Sequence, residues 1–256
     1  MSTASFSPAS HNLVATPDQV TAFDSTQDYG PWKAAGDGAA ALVLLSLAAP
    51  LMLVLMVLVR LTSAGPSVYA QTRLGRNGRP FRIYKLRSMF HDCERSTGPR
   101  WAARRDPRVT PLGRFLRRSH LDELPQLWNV LRGDMAIVGP RPERPEFATQ
   151  LEKAIPEYRE RLKVRPGITG LAQVQLPADE DLEGVRRKVA CDLRYIERMG
   201  PWLDARIVAA TALKVAGAPF EMIGRMLALP GVAGVLAATG RQDGLEEPAH
   251  SRLQTA

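Results

Sequence analysis

Two adjacent carboxylates stand among arginines near the middle of the chain, and this combination could act on a phosphate. Asp122 and Glu123 follow Arg117, and Arg141 lies on the rigid Gly-Pro-Arg-Pro turn that comes after them. Acids beside so many guanidinium groups are expected to be ionised, because opposite charge favours the charged form. An ionised carboxylate in a dry site can attack phosphorus, and the planar arginine fork matches phosphate oxygens two at a time. Helix capping is the competing interpretation of such a pair of acids.

Phosphoryl transfer mainly needs positioning and charge stabilisation, which arginines and carboxylates together supply. Mg2+ is the usual bridge between carboxylates and phosphates, and Asp122 and Glu123 are its candidate ligands. Gly167 and Gly170 in the sequence RPGITG would let backbone amides come close to a phosphate or a base. A turn that needs positive φ explains the same two glycines about equally well, and the two interpretations are compatible.

The elements that carry these residues are expected to be short. Ser119 is a candidate N-cap for a helix that holds Asp122 in its first turn and ends near Gly133. Strands are predicted at 68–71, 81–84 and 135–138, with a hairpin turn at 75–79 whose tip is Asn77-Gly78. Further helices are predicted at 146–163, 185–196 and 202–216, and a turn with a strand at 165–175. The pattern predicts an α/β domain that is small and mostly helical.

An uncharged segment from 38 to 59 precedes this domain. As a straight helix it would reach about 33 Å, which is enough to cross a bilayer. Pro50 predicts a kink near its middle, and Ser46 could satisfy a backbone group that the kink frees. Two half-helices meeting at such a kink could instead enter and leave the membrane by one face. From these residues alone, a spanning helix is favoured over that re-entrant arrangement.

Charge and cysteine content narrow the partners. The 256 residues carry a formal net charge of +8, which points to anionic partners such as nucleic acid, phosphorylated substrates or anionic headgroups. The stretch 60–118 holds 15 Lys or Arg against three acidic residues, directly after the apolar segment. This asymmetry favours headgroup contact and a cytoplasmic position for the following domain. Cys93 and Cys191 are interpreted as reduced thiols, with a single disulfide as the alternative, and no zinc-type ligand spacing is found.

At this point the motifs carry a family resemblance. The matching stretches are KAAGD, AGPSVYAQTRLGRNGRPFRIYKLRSM, DPRVTPLGRFLRRSHLDELPQLWNVLRGDMAIVGPRP, RPGITGLAQV and DLRYIERMGPWLD. In this order, from Lys33 to about Leu213, the sequence resembles the bacterial sugar transferase family, the monotopic phosphoglycosyl transferases. LDELPQ followed by GDM and VGPRP is highly specific to that family.

The resemblance implies an enzyme that uses a UDP-sugar and polyprenyl (undecaprenyl) phosphate. In such enzymes the Asp of the Asp-Glu pair attacks the sugar-linked phosphate, UMP leaves, and the lipid phosphate then takes the phosphosugar. This is the first membrane step of exopolysaccharide, capsule or O-antigen synthesis. The implied location is the cytoplasmic face of the bacterial inner membrane, in contact with membrane lipids. No nucleic-acid partner is expected, and a homo-oligomer is possible.

The resemblance also assigns residues. Asp122 is implied as the nucleophile and Glu123 as its catalytic partner, both near Mg2+. The residues implied to bind phosphate or substrate are Arg117, Arg141, Pro142, Arg87, Gly167 and Gly170. Sequence differences from the common family pattern include His120 before the nucleophile, Leu171 after ITG and Gln175-Leu176 after AQV. The last two lie where a nucleotide sugar is expected, so the sugar itself stays unassigned.

The family's apolar segment is a re-entrant helix broken at a central proline, which Pro50 matches, with Ser46 at the same kink. The resemblance therefore reverses the preference for a spanning helix. The implied organisation is a disordered tail at 1–32, a re-entrant membrane helix at 33–61 and a catalytic domain at 62–218. An apolar segment with interfacial amphipathic character and a loose tail then occupies 219–256.

Two other functions explain part of the sequence. A membrane-tethered basic protein that binds nucleic acid or anionic lipid explains the charge and the anchor, but not LDELPQ or the Gly-Pro-Arg-Pro turn. A catalytically silent scaffold for polysaccharide assembly is opposed by the intact Asp122-Glu123 pair. A glycosidase is disfavoured because its two carboxylates must flank a bond several ångströms apart, which neighbouring residues rarely do.

Overall fold

A computed structural model describes residues 30–95, 106–177 and 181–238. The helices are α1 Gly30–Thr62, α2 Pro111–Arg118, α3 Gln126–Leu131, α4 Pro145–Ala154, α5 Leu171–Gln175, α6 Leu182–Arg198, α7 Pro201–Val215, α8 Phe220–Met226 and α9 Val232–Ala238. The strands are β1 Val68–Leu74, β2 Pro80–Leu86, β3 Ala136–Val138 and β4 Gly167–Thr169. The prediction of a mostly helical domain with short strands is confirmed. The predicted tail at 1–32 falls outside the described residues up to position 29, and α1 begins at Gly30.

The first sheet is the predicted hairpin. β1 and β2 pair antiparallel along their whole length, from Val68 opposite Leu86 to Leu74 opposite Pro80. A short 3₁₀ turn, Arg76–Gly78, joins them, and Asn77 adopts a left-handed conformation with φ of 56°. Asparagine tolerates this region better than most residues, which explains the choice of residue at the tip. The strands are longer than predicted because their pairing continues up to the turn.

The second sheet holds the Gly-Pro-Arg-Pro turn in place. β3 and β4 pair in parallel, with Ala136 opposite Gly167 and Val138 opposite Thr169. Beyond the strands, the amide of Gly139 donates to the carbonyl of Thr169, and the amide of Gly167 donates to the carbonyl of Pro140. The backbones approach so closely that a Cβ on Gly167 would lie 2.1 Å from the Gly139 nitrogen. The glycine is therefore required for close backbone packing, not for positive φ.

Helix α1 packs along the domain by one stripe. Its buried residues are Lys33, Ala41, Leu55 and Val59. Ala41 belongs to an apolar cluster with Ile83, Leu127, Val130 and Met135, whereas Leu55 and Val59 pack with Leu86 and Leu116. The other faces expose a row of large apolar side chains, among them Leu44, Leu47, Leu51, Leu53 and Val54. In the part of the chain that the structure describes, α1 alone is long and apolar enough to cross a membrane.

The main core lies between α5, α6 and α7, and it extends past residue 218. Ile223, Leu229, Val235 and Leu236 belong to the same buried cluster as Tyr195. The segment 219–238 therefore packs into the main core, beyond the boundary that was predicted at 218. Apolar residues such as Met222 and Met226 remain exposed beside it. The rest of the expected C-terminal tail, from 239 onward, lies outside the described residues.

Two local predictions are correct only in part. In place of the helix predicted over 146–163, α4 ends at Ala154 and a separate 3₁₀ helix covers Pro156–Lys163. The α-helix does not continue because Pro156 has no amide hydrogen to donate and its ring clashes with the preceding turn. The strand predicted within 165–175 covers only Gly167–Thr169, and the chain then turns into α5.

Candidate active site

The turn between α2 and α3 presents the two carboxylates. Thr110 caps the start of α2, since its hydroxyl accepts from the Gly113 amide. Ser119 lies at the end of α2, not at the start of a helix as predicted, and its hydroxyl donates to the Phe115 carbonyl. His120 then adopts a left-handed conformation with φ of 56°, and a 3₁₀ turn, Leu121–Glu123, follows. This reversal between two short helices directs Asp122 and Glu123 into a cleft.

Glu123 is the best-connected group of the site. Its Oε1 accepts hydrogen bonds from Lys85 Nζ at 2.7 Å and from Arg141 Nη2 at 2.6 Å. Burial alone would raise the pKa of Glu123, but the charges and hydrogen bonds of Arg141 and Lys85 outweigh it and hold that pKa well below its usual range. In turn, the charge of Glu123 raises the pKa of Arg141. This direction agrees with the expectation of an ionised carboxylate among cations at Glu123.

Asp122 has a different environment. It is 6% exposed, and its carboxylate has no hydrogen-bonding partner among the described residues. Burial raises the pKa of Asp122 and the neighbouring Glu123 adds to this effect, whereas the positive charges of Lys85, Arg117 and Arg141 oppose it. The shift is upward because desolvation is the largest contribution. Asp122 is therefore a buried carboxyl with unengaged oxygens, next to three cations.

Arg117, Arg141 and Pro142 line the cleft together with the two acids. Arg117 Nε donates to the Ser88 hydroxyl at 2.8 Å, which fixes the side chain on the wall opposite the turn. The Gly-Pro-Arg-Pro turn is held from outside by two further arginines. Arg161 Nη2 donates to the Arg141 carbonyl at 2.9 Å, and Arg73 Nη1 donates to the Pro142 carbonyl at 3.2 Å. These contacts aim the Arg141 guanidinium at Glu123.

Other residues named from the sequence have different contacts. Arg87 touches the cleft, but its Nη2 donates to the carbonyl of Ser63 at 2.6 Å and to that of Val59 at 3.4 Å, so it binds the end of α1. Gly167 and Gly170 do not line the cleft, and the Gly167 amide already donates to Pro140. They shape the turn from behind instead of presenting amides to a phosphate.

The membrane kink residues lie within a single helical element. Ser46 and Pro50 are both exposed on α1, which is helical from Gly30 to Thr62 with Pro50 inside it. Both ends of α1 nevertheless contact the same domain. Lys33 Nζ lies 2.5 Å from Asp204 Oδ2 on α7, and the Ser67 hydroxyl donates to the Met56 carbonyl at 2.7 Å.

Sequence reasoning missed Lys85. It lies on β2, where Phe81, Ile83 and Lys85 share one face by the period-2 alternation of a strand. A lysine is unusual on a strand face that buries Ile83. This alternation along β2 was the signal in the sequence that could have identified Lys85. The strand is fixed to α3 because Asn129 accepts from the Tyr84 amide and donates to the Arg82 carbonyl. Lys85 is thereby held against Glu123.

The cleft has a volume of about 1110 Å3 and a strongly basic lining. Besides the residues already described, its cations include Arg73, Arg82, Lys188 and Lys214. A cavity of this size and charge suits a multiply charged anion larger than a single phosphate. No cluster of three or more metal-binding side chains occurs within 30–95, 106–177 and 181–238.

The two carboxylates nevertheless fit a Mg2+ ion that is held partly by the substrate. This ion is commonly held by one or two carboxylates, with substrate phosphates and water completing its shell. The unengaged oxygens of Asp122 and the second oxygen of Glu123 offer that pair, whereas a dedicated cage would need more ligands. The residues thus fit an ion that arrives with a phosphorylated substrate.

Comparison with known proteins gives the family. A model described as Bacterial sugar transferase matches residues 29–218. A UDP-glucose:undecaprenyl-phosphate glucose-1-phosphate transferase of Caulobacter vibrioides is 46% identical over 177 residues, which are 68% of this chain and 66% of that protein. A UDP-N-acetylgalactosamine-undecaprenyl-phosphate N-acetylgalactosaminephosphotransferase of Aeromonas hydrophila is 45% identical over 172 residues, 67% of this chain and 40% of that protein.

A third relative, the UDP-glucose:undecaprenyl-phosphate glucose-1-phosphate transferase of Xanthomonas campestris pv. campestris, is 46% identical over 170 residues, 66% of this chain and 35% of that protein. The chain thus spans between about a third and two thirds of the length of these relatives. Their names give different sugars but one reaction type. Since the family model covers the anchor helix and the cleft alike, the chain belongs to the bacterial sugar transferase family.

Proposed function

We propose that this chain transfers a sugar-1-phosphate from a UDP-sugar to undecaprenyl phosphate, with Asp122 as the nucleophile. The single observation that carries the proposal is Asp122 itself, buried at 6% exposure with unengaged oxygens beside Lys85, Arg117 and Arg141. The names of the relatives support the reaction type and the two substrates. They also support a place at the start of exopolysaccharide synthesis, because undecaprenyl phosphate is the acceptor in each name.

In the first step, an Asp122 oxygen attacks the phosphorus that carries the sugar. The bond from that phosphorus to the bridging oxygen of the diphosphate breaks, and UMP leaves with the electron pair. The product on the protein is an aspartyl phosphosugar. Arg117 and Arg141 neutralise the charge that builds up on the phosphoryl oxygens, since their forks match such oxygens. Lys85 and Arg141 keep Glu123 ionised, so it stays an acceptor throughout.

In the second step, a phosphate oxygen of the lipid attacks the same phosphorus. The bond to the Asp122 oxygen breaks and the electron pair stays on that oxygen, which restores the ionised carboxylate and yields a lipid diphosphate sugar. Both steps displace a group at one phosphorus, so one set of cations serves both. Asp122 and Glu123 would hold Mg2+, which would supply further charge neutralisation at the substrate phosphates.

We place the cleft at the cytoplasmic face of the membrane, with α1 entering and leaving by that face. Lys33 and Met56 lie on either side of Pro50, and both contact the same domain. A straight helix across a bilayer core of about 30 Å would carry its first half away from a domain on one side. The basic residues within 60–95 and 106–118 then lie at headgroup depth.

The test is UMP release by the full chain in detergent or nanodiscs, with candidate UDP-sugars, Mg2+ and undecaprenyl phosphate. We expect turnover by the unmodified protein and a labelled phosphosugar bound to it when the lipid is omitted. Asp122→Asn should abolish both signals. Asp134→Asn is the matched control, because Asp134 lies outside the cleft and pairs with Arg132. Normal turnover by Asp122→Asn would overturn the assignment of the nucleophile.

A further inference from the structure

A second cavity lies between α1 and the catalytic domain. This groove has a volume of about 470 Å3 and is lined on the α1 side by Leu44, Leu47 and Ala48. The domain side is formed by residues of α3, β4, α5 and α7 and the turn before α3: Leu124, Leu127, Ile168, Thr169, Val174, Thr211 and Val215. Its volume is within the range of about 300–1,000 Å3 that is typical of pockets for small ligands. The walls are mainly apolar, so the groove suits a hydrocarbon.

The inner end of the groove is polar and charged. Glu123, Arg141, His120, Gln173 and Lys214 line both the groove and the basic cleft, so the two cavities meet at these residues. The meeting point therefore carries the guanidinium of Arg141 and the amine of Lys214, whose pKa burial lowers from its ordinary value. An apolar tube that ends in cations matches a chain with an anionic head.

Gln173 gives an independent indication of a ligand there. Both the oxygen and the nitrogen of its side-chain amide are buried and have no hydrogen-bond partner among the described residues. Leaving such a buried amide unpaired is unfavourable unless a ligand satisfies it. Lys214 Nζ donates to the backbone carbonyl of Gln173 at 2.7 Å, and both residues line the place where the groove and the cleft meet. A phosphate at this point would accept from the Gln173 amide nitrogen.

The outer end of the groove faces the exposed side of α1. Leu44 and Leu47 are 47% and 74% exposed, and the exposed row continues along the helix through Leu51. These side chains are in position to contact lipid if α1 is in the membrane. A membrane-borne chain could thus slide from the bilayer into the groove without crossing a polar surface.

We infer that this groove holds the first isoprene units of the acceptor lipid, with the lipid phosphate at Arg141, Lys214 and Gln173. The inference rests on the proposed function and adds the location of one substrate. It separates the two substrates: the UDP-sugar occupies the basic cleft, and the lipid reaches Asp122 through the apolar groove. The groove serves the second transfer step alone.

The experiment fills the groove and measures the two steps separately. Val215→Trp places a large side chain in the groove, and Val208→Trp is its matched control on the same helix, exposed and outside both cavities. For Val215→Trp we expect an unchanged burst of UMP from UDP-sugar without lipid. Its KM for undecaprenyl phosphate should rise at least about tenfold, equivalent to 1.4 kcal/mol of lost binding. Val208→Trp should match the unmodified protein in both measurements.

A second pair of variants covers the opposite wall, in case the first fails to fold. Leu47→Trp should raise the KM for the lipid, whereas Leu53→Trp, at a position that is also exposed on α1 but lies outside the groove, should not. An unchanged KM in a variant with an intact burst overturns the groove, as does an equal rise in the controls. A lost burst in Val215→Trp alone would assign the groove to the donor, which also overturns it. Absence of a burst in the unmodified protein instead contradicts the proposed function.

Discussion

Replacing Lys85 by methionine removes a positive charge from the site, at a residue that the sequence motifs did not identify. Lys85 Nζ lies 2.7 Å from Glu123 Oε1, and its charge is the strongest of those that lower the pKa of Asp122. Without it, burial raises the pKa of Asp122 further above its ordinary value. Because only the ionised carboxylate can attack phosphorus, the acid limb of kcat/KM should move to higher pH. At pH values below the limb, a larger fraction of the protein is then inactive.

The size of the effect above that limb follows from the contact itself. The side chains of Lys85 and Glu123 are 20% and 12% exposed, so the hydrogen bond is largely shielded from water. Hydrogen bonds to charged groups contribute about 1.5–3 kcal/mol. If that contribution is lost in the transition state, kcat/KM falls roughly 10- to 150-fold even where Asp122 is ionised. Glu123 keeps Arg141 at 2.6 Å, so the site does not collapse.

The assay is UMP release over a range of pH, for the unmodified protein, Lys85→Met and Lys85→Arg. Lys85→Arg keeps the charge, so its acid limb should stay close to that of the unmodified protein, although its rate falls because the guanidinium has a different shape. An acid limb that stays in place or moves to lower pH in Lys85→Met would refute the electrostatic role of the lysine. Equal limbs for the two variants would show that shape, and not charge, is what matters.

Three further predictions concern the turn, the sheet behind it and the anchor. Arg141→Ala should lower kcat/KM about 100-fold or more in the UMP-release assay, because it removes a donor to the phosphoryl oxygens, and an activity near normal would contradict this. Gly167→Ala should lower the free energy of unfolding by at least about 1–3 kcal/mol through overpacking. Gly36→Ala, with open space at its Cβ, should leave it equal or higher in the same chemical denaturation. Lys33→Met should lower the free energy of unfolding by about 3–5 kcal/mol in the same denaturation, because it removes a cation beside the buried carboxylate of Asp204. A decrease below about 1 kcal/mol would be inconsistent with this ion pair.

Periodicity and motifs predicted the hairpin, the long α-helices and the residues that meet in the cleft. They failed where the backbone does something that local preference disfavours. A left-handed conformation at His120 follows the end of α2 and reverses the direction of the chain. The sequence pattern instead favoured a helix that starts at Ser119, because serine is a common N-cap residue. The apolar run after 218 has the composition of an interfacial segment, and only tertiary packing of Ile223 and Val235 shows that it belongs to the core.

The site was also predicted only in part, because tertiary packing brings one of its residues in from another element. Asp122, Glu123 and Arg141 are close in sequence and share a motif, so their proximity could be argued from spacing. Lys85 lies on another element, and its contact with Glu123 depends on how β2 packs against α3. Arg87 shows the converse, since the hydrogen bonds of this arginine go to residues at the end of α1 although it lines the cleft.

The stripe along α1 has a practical consequence for anyone who wants the catalytic domain without its anchor. Ala41, Leu55 and Val59 are at most 5% exposed, and they fill two apolar clusters that the domain cannot fill by itself. Cutting the chain after Thr62 would uncover Ile83 and Leu86 to water and remove the Val59 carbonyl that accepts from Arg87. A version trimmed for solubility would therefore aggregate, and purification has to keep the helix and supply a detergent or a lipid disc around it.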